Sequence, residues 1–333
     1  MSTARDDQFE DIRRAVRRRF GESARIENMV VPTLGGSNRT VVFDLVTGNT
    51  SRRLVSRQET YSGEEKLFVS TTDQFRALQI VYRHGVPVPE PVFEYDATDA
   101  AGHGFVTGFV AGHTMPKTLH QSAELEAVRP KLAGQCGELL AALHGLDPNE
   151  FAFIQARADS VDAVKAFLER YDYYAEHHPA IEFGFRWLER HRVDRGKRSI
   201  QHGDFRCGNF IVSPRGIEAV LDWECVHLGS PMEDLGWLCT RSWRFGRPDL
   251  PVGGFGERAD LYLAYSASGG DRVDPEEVRF WEIFGLVRWA IYNIWQAHGH
   301  VSGIRQSVPF AACGRNTALI EYDLLMTLSG RYN

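Results

Sequence analysis

Residues 199–224 of this 333-residue chain read SIQHGDFRCGNFIVSPRGIEAVLDWE, and the reading of this stretch decides the fold. Asp204 stands five residues before Asn209, and Asp222 follows thirteen residues after that amide. Between the amide and Asp222 lie a short apolar run (209–212), the segment Ser213-Pro214-Arg215-Gly216, and a second apolar run (217–221). Proline fixes φ and glycine tolerates unusual backbone angles, so this segment predicts a chain reversal between two strands. Folding back there brings Asp222 near the 207–209 end of the first strand. A carboxylate on a loop, with an amide and a second carboxylate on an adjacent hairpin, is a base beside a hard-cation site. Oxygen ligands of this kind suit Mg²⁺, which takes few protein ligands and fills its shell with water and phosphate. The pattern therefore points to phosphoryl transfer.

Bulk properties bound the setting. The chain is long enough for two lobes, and 43% hydrophobic and 25% charged residues are ordinary for a soluble globular protein. A net charge of −6 argues against nucleic-acid binding, which needs a concentrated positive footprint. Cys136, Cys207, Cys225, Cys239 and Cys313 show no C-x-x-C spacing and no pairable framework. The N-terminal residues lack the apolar core of a signal peptide, and no run approaches membrane-spanning length. The expectation is a cytoplasmic protein with no membrane partner.

Along the chain, Phe9, Ile12, Val16 and Phe20 recur at helical spacing, with Arg13, Arg14, Arg17, Arg18 and Arg19 among them. Asp6, Asp7, Glu10 and Asp11 balance these arginines, so they read as a solvated helix face rather than an anion or membrane surface. Strands are expected at 24–31, 39–46, 51–57, 92–95 and 104–110, with a helix at 72–84. The first two strands are joined by a loop containing Gly35-Gly36-Ser37-Asn38. Such a loop can lay backbone N–H groups against phosphate oxygens because nothing blocks close approach. Neither a G-x-G-x-x-G nor a G-x-x-x-x-G-K-[ST] fingerprint is present. Around residues 108–112 the character changes from strand-rich to helical. Helices are expected at 119–145, 162–177, 181–192, 231–243, 256–266, 275–298 and 310–328. The predicted class is α+β: a small antiparallel-sheet lobe (1–112) and a larger, mostly helical lobe (113–333).

His202-Gly203-Asp204-Phe205-Arg206-Cys207-Gly208-Asn209, followed by Leu221-Asp222-Trp223-Glu224, resembles the aminoglycoside phosphotransferase-like family, relatives of the protein kinases. The likeness extends in order through Leu34-Gly35-Gly36-Ser37-Asn38-Arg39-Thr40, Gly85-Val86-Pro87-Val88-Pro89, Leu143-His144 and Gly229-Ser230-Pro231-Met232-Glu233-Asp234-Leu235. The resemblance implies a bilobal kinase-like fold and transfer of the ATP γ-phosphoryl group, GTP being the other candidate donor. It implies that Asp204 orients the acceptor hydroxyl and accepts its proton, and that Asn209 and Asp222 hold Mg²⁺. It places nucleotide contacts at Gly35, Gly36, Ser37, Asn38 and Thr40, and at Phe109 and Val110 in a hinge near 105–112. Arg57 falls where kinases keep a phosphate-binding lysine, and Gln74 falls where the family often has that lysine's glutamate partner. A glutamine cannot form an ion pair with Arg57, so Asp73, Glu59 or hydrogen bonding would have to hold the cation. His202 and Asp234 match positions with structural roles, and Ser230 replaces the usual aspartate.

The acceptor is expected to be a small hydroxylated molecule. Residues 113–333 hold 29 Asp and Glu against 24 Lys and Arg, a modest excess for a lobe that would bind a polycationic aminoglycoside. Instead that lobe is rich in aromatics and arginine. Arg288, Tyr292 and Trp295 could share a helix face toward the acceptor, although core packing explains such a face more simply. Leu221-Asp222-Trp223-Glu224 and Trp243-Arg244-Phe245-Gly246 look like the branch related to kinase domains attached to acyl-CoA dehydrogenases. For that branch a hydroxyacyl thioester is the expected acceptor type. An antibiotic kinase and a nucleotide-binding pseudokinase are the two rival readings.

Overall fold

Val41, Phe43 and Leu45 are buried in β2 (Asn38–Thr47) and alternate with more exposed neighbours. That is the period-two signature of a strand with one face on a core. The computed structural model describes residues 3–32, 38–59, 67–99, 101–193 and 196–332. It divides into two compact units, Met1–Ala111 and Gly112–Asn333.

The first unit runs α1 (Thr3–Phe20), β1 (Arg25–Val30), β2, β3 (Thr50–Glu59), α2 (Thr71–Arg83), β4 (Pro91–Glu94) and β5 (Gly104–Gly108). The strands form one antiparallel sheet in the order β1-β2-β3-β5-β4. Ile12, Ala15 and Val16 of α1 pack on its buried face with Val41, Phe43, Leu54 and Val106. Ser56 of β3 pairs with Val106 of β5 and Arg57 with Phe105, so Arg57 lies on the opposite face from that core. Phe105 meets Phe75 of α2, with ring centroids 5.6 Å apart. Helix α2 starts where Ser70 accepts a hydrogen bond from the Asp73 N–H, 3.1 Å away.

The arginines of α1 divide their work. Arg13 and Arg17 reach Glu10, as a solvated face would. Arg19 instead donates to both carboxylate oxygens of buried Asp99 at 2.8 Å each, and to the Glu94 carbonyl at 2.8 Å. Burial tends to raise the Asp99 pKa, but the Arg19 hydrogen bond and charge outweigh it and leave it depressed. Removing one partner strands a charge, so Arg19→Met is expected to destabilise the first unit by about 2–3 kcal/mol. Urea unfolding followed at both units checks this. An unchanged midpoint would contradict it.

The second unit runs α3 (Pro116–Gln121), α4 (Leu132–His144), α5 (Ala158–Val161), α6 (Ala163–Tyr174), α7 (Pro179–Arg190) and β6 (Ser199–Gln201). It continues with β7 (Phe210–Ser213), β8 (Gly216–Val220), β9 (His227–Gly229), α8 (Met232–Cys239), α9 (Arg258–Ala267), α10 (Pro275–Val301) and α11 (Val308–Leu328). Helix α10 is the spine, with most of its first 21 residues buried against α6, α7, α8 and α11. The helix expected over 119–145 is two helices, because Ser122 is extended and short 3₁₀ turns intervene before Leu132. The expected 231–243 helix likewise ends at Cys239 and gives way to a 3₁₀ turn at Arg241–Trp243. Among the described residues, no helix is long and apolar enough to cross a membrane, and all five cysteines are free.

Candidate functional site

The 202–209 loop is suspended from buried groups of the second unit. Strand β6 delivers it, paired antiparallel with β9. Immediately afterwards the His202 and Gly203 N–H groups donate to Asp234, at 2.7 Å to Oδ2 and 2.9 Å to Oδ1. Asp234 is fully buried in the first turn of α8. Gly203 has φ +77°, and a Cβ there would lie 2.3 Å from the Cys225 carbonyl oxygen, so only glycine fits. Its own carbonyl accepts from Arg288 Nη2 at 2.5 Å.

His202 is not an available base. Its Nε2 contacts the Leu221 carbonyl at 2.9 Å, and its Nδ1 accepts from the Asp204 N–H at 3.1 Å. That pattern assigns a neutral ring with the proton on Nε2. Burial pulls its pKa down, outweighing the nearby carboxylates. Cys207, beside the loop, is no nucleophile, since burial pushes its thiol up to about 12.

Asp204 receives three donors. Oδ1 accepts from Arg206 Nε at 2.8 Å and Trp237 Nε1 at 3.0 Å, and Oδ2 accepts from Asn209 Nδ2 at 2.7 Å. Asn209 Nδ2 also donates to the Asp204 carbonyl at 2.9 Å. The amide nitrogen of Asn209 is thus committed to Asp204, which leaves its oxygen as the atom that could face a cation.

The hairpin forms as expected. β7 and β8 reverse through Pro214-Arg215, with Ser213 opposite Gly216. Phe210 pairs with Val220, and the Leu221 N–H donates to the Asn209 carbonyl at 2.8 Å. Asp222 therefore follows directly on the rung that holds Asn209. It adopts a left-handed backbone (φ 71°, ψ 59°), which is uncommon outside glycine and is most tolerated by Asn and Asp. Strained positions of this kind concentrate at functional sites. Among the described residues, no group of three or more His, Cys, Asp and Glu side chains could hold a metal alone. The hairpin offers an amide oxygen and a carboxylate, an open set rather than a closed cage.

In the first unit, Thr40 and Arg57 are cross-strand partners, so both lie on the face away from the core. With its amide oxygen turned toward Arg57, Asn38 accepts from Nη2 at 2.8 Å and Nε at 3.0 Å. Gln74 is buried, donates to the Val69 carbonyl at 3.0 Å, and among the described residues leaves its own oxygen without a hydrogen-bond partner. Asp73 is engaged with Ser70. Phe109 is exposed and its N–H donates to the Arg53 carbonyl at 3.1 Å, while Val110 is half-buried. Gly35, Gly36 and Ser37 lie outside the described residues.

Arg288 is buried, as the simpler core-packing reading of its helix face expects. It donates to Glu233 at 3.1 Å and lies 3.9 Å over the Trp237 ring. Trp295 is also buried, and Tyr292 packs edge-on against Phe167. The residues that sequence reasoning missed are Arg206 and Trp237, which touch Asp204 directly. Arg206 stood in plain view inside the motif, but nothing in a linear pattern says that an arginine two residues on will turn back onto the aspartate.

The model of the phosphotransferase enzyme family matches residues 31–281. Acyl-CoA dehydrogenase family member 10 of Mus musculus is 26% identical over 184 residues. These make up 50% of this chain and 16% of that relative, so the chain corresponds to a small part of the longer protein. A Ralstonia eutropha JMP134 protein, provisionally named as an aminoglycoside phosphotransferase, superposes with a TM-score of 0.69 at 22% identity. That match covers 97% of this chain and 98% of the other. The streptomycin–ATP–APH(2'')-IIa ternary complex superposes with a TM-score of 0.56 at 14% identity, over 84% of this chain and 89% of its own. At these identities the structural likeness is one of fold.

Proposed function

Because this chain belongs to the phosphotransferase enzyme family, we propose that it moves the γ-phosphoryl group of ATP, with Mg²⁺, onto a hydroxyl of a small metabolic molecule. The observation that carries the reading is the Asp204–Asn209 pair, with Asp222 one step beyond the rung that fixes the amide. Phosphoryl transfer asks for in-line positioning and charge neutralisation rather than covalent chemistry from the protein. Asp204 orients the acceptor hydroxyl and takes its proton.

The donor chemistry fits Mg²⁺: one amide oxygen and one carboxylate leave room for phosphate and water. When bound, the ion would neutralise charge developing on the phosphoryl oxygens. In the first unit Arg57, steadied by Asn38, contacts nucleotide phosphate in place of a lysine. Thr40 and the Gly35-Gly36-Ser37-Asn38 loop supply further phosphate contacts, and Phe109 and Val110 meet the nucleotide.

Two features favour a hydroxyacyl-type acceptor over an aminoglycoside. The match to an acyl-CoA dehydrogenase family member points to acyl chemistry. A guanidinium, Arg206, also stands against Asp204, where a polycation would meet like charge. The test is Mg²⁺-dependent ATP consumption with hydroxyacyl-coenzyme A esters and, in parallel, with streptomycin and kanamycin. Turnover with the esters alone is expected. Turnover confined to the antibiotics would replace this acceptor, and none with any acceptor would sink the reading. Arg57→Met is expected to raise the KM for ATP roughly tenfold, the loss of one charged phosphate contact.

A further inference from the structure

We propose that Arg206 is a positioning residue for phosphoryl transfer, one that selects Oδ2 of Asp204 as the oxygen facing the acceptor hydroxyl. The inference rests on the kinase reading above and adds to it which atom does the work. A carboxylate has about four acceptor directions, two on each oxygen. Among the described residues, Oδ1 has both filled, by Arg206 Nε at 2.8 Å and Trp237 Nε1 at 3.0 Å. Oδ2 has one filled, by Asn209 Nδ2 at 2.7 Å. One direction on Oδ2 is left for an O–H donor. The Asp204 side chain is 15% exposed, so part of it meets solvent.

Arg206 is itself held in place rather than free to swing. Its guanidinium carbon lies 4.6 Å over the Trp243 ring, and Nη1 donates to the Cys207 carbonyl at 3.2 Å. Trp243 is braced in turn by Trp237 and Trp289, each ring centroid 5.0 Å away. Gly208 completes the arrangement. A Cβ there would come within 2.9 Å of Arg206 Nη1, and its φ of +108° disfavours any side chain. The chain thus makes space for one rotamer of Arg206 and fixes it with a ring, a carbonyl and the carboxylate. A carboxylate gripped at Oδ1 by two N–H donors and at Oδ2 by one cannot rotate without breaking all three. Orientation of a base at this level is worth one to two orders of magnitude in rate.

The experiment measures ADP formation from Mg²⁺-ATP, with water or a hydroxylated ester as acceptor, in the wild type, Arg206→Ala, Arg206→Lys and Trp237→Phe. Arg206→Ala is expected to lower kcat by roughly 10- to 100-fold with the KM for ATP within about twofold of wild type. Millimolar methylguanidinium should restore part of that rate, and Arg206→Lys should fall between the two. Trp237→Phe, which removes the second donor to Oδ1, should show a smaller loss in kcat alone. If Arg206→Ala does not fold, Arg206→Met keeps the contact with Trp243 and carries the same expected loss. A wild type that turns over ATP while Arg206→Ala and Arg206→Met match it in kcat overturns this inference and leaves the kinase reading standing. So does a loss that methylguanidinium does not touch and that tracks a lowered Tm. A wild type with no turnover under any acceptor removes both.

Discussion

Asp204→Ala should lower Mg²⁺-dependent phosphoryl transfer by roughly 10²- to 10⁴-fold, the span a positioned general base supplies, while the protein stays folded. The two halves of that expectation come from different features of the same side chain. Its chemistry is irreplaceable within the loop: His202 is neutral with both ring nitrogens engaged, and the Cys207 thiol is held protonated by burial. Neither of these two groups can take the acceptor proton in its place. Its structural contribution, by contrast, is limited. The Arg206 side chain is 23% exposed, so water can reach the guanidinium that the carboxylate leaves behind. Asn209 keeps the Asp204 backbone carbonyl as an acceptor, and only the buried Trp237 N–H is left without one, at about 1–3 kcal/mol. A circular-dichroism melt should therefore fall by several degrees. Asp204→Asn separates shape from charge: it keeps the volume but turns an amide toward the Arg206 and Trp237 donors. It should be as inactive as the alanine variant and slightly less stable. Turnover in either variant within tenfold of wild type would remove Asp204 from the chemistry, and with it the assignment of this loop.

What the sequence made legible depended on how far a residue's partners lie along the chain. Strand β2 was legible because Val41, Phe43 and Leu45 alternate, and alternation reports a one-sided core directly. The β7–β8 hairpin was visible because proline and glycine mark a reversal, and the reversal fixed where Asp222 had to be. Strands β6 and β9 were not visible. Each has three residues, all buried, so neither shows a period. Pro130 lies within the break that divides the expected 119–145 helix, yet the apolar spacing ran across it. Arg288 shows what helical spacing leaves open, a face toward a pocket or one packed in the core. A charged residue on a helix reads as a surface or pocket group until Trp237, Glu233 and the Gly203 carbonyl are known to surround it. Those partners lie 51 to 85 residues away, and no local pattern encodes them. The candidate site was therefore legible as a set of residues, Asp204, Asn209 and Asp222, that the fold brings close together. The groups that aim those residues became apparent only in three dimensions.

The largest stability effect should come from Asp234. Its carboxylate is fully buried and accepts the His202 N–H at 2.7 Å and the Gly203 N–H at 2.9 Å, with His144 Nε2 at 3.5 Å. Two backbone donors and a histidine in the protein interior depend on one side chain. Asp234→Ala leaves those donors without an acceptor and without water, which costs about 3–5 kcal/mol and should lower Tm by roughly 6–15 °C. Activity should fall further than stability explains, because the residues released are those immediately before Asp204. The pH dependence has a definite sign. Burial pushes the Asp234 carboxyl upward, but the hydrogen bond to His144, the neighbouring His202 ring and its backbone N–H outweigh it and leave the pKa depressed. A depressed carboxylate stabilises the folded state above its unfolded value, near the ordinary 3.8, and loses that contribution as pH falls through the folded value. The stability difference between wild type and Asp234→Ala should therefore be constant at neutral pH and narrow only below about pH 4. Paired denaturant titrations from pH 3 to pH 8 would show it. A gap that closed at neutral pH, or a variant as stable as wild type, would mean that the loop is held by something other than this carboxylate.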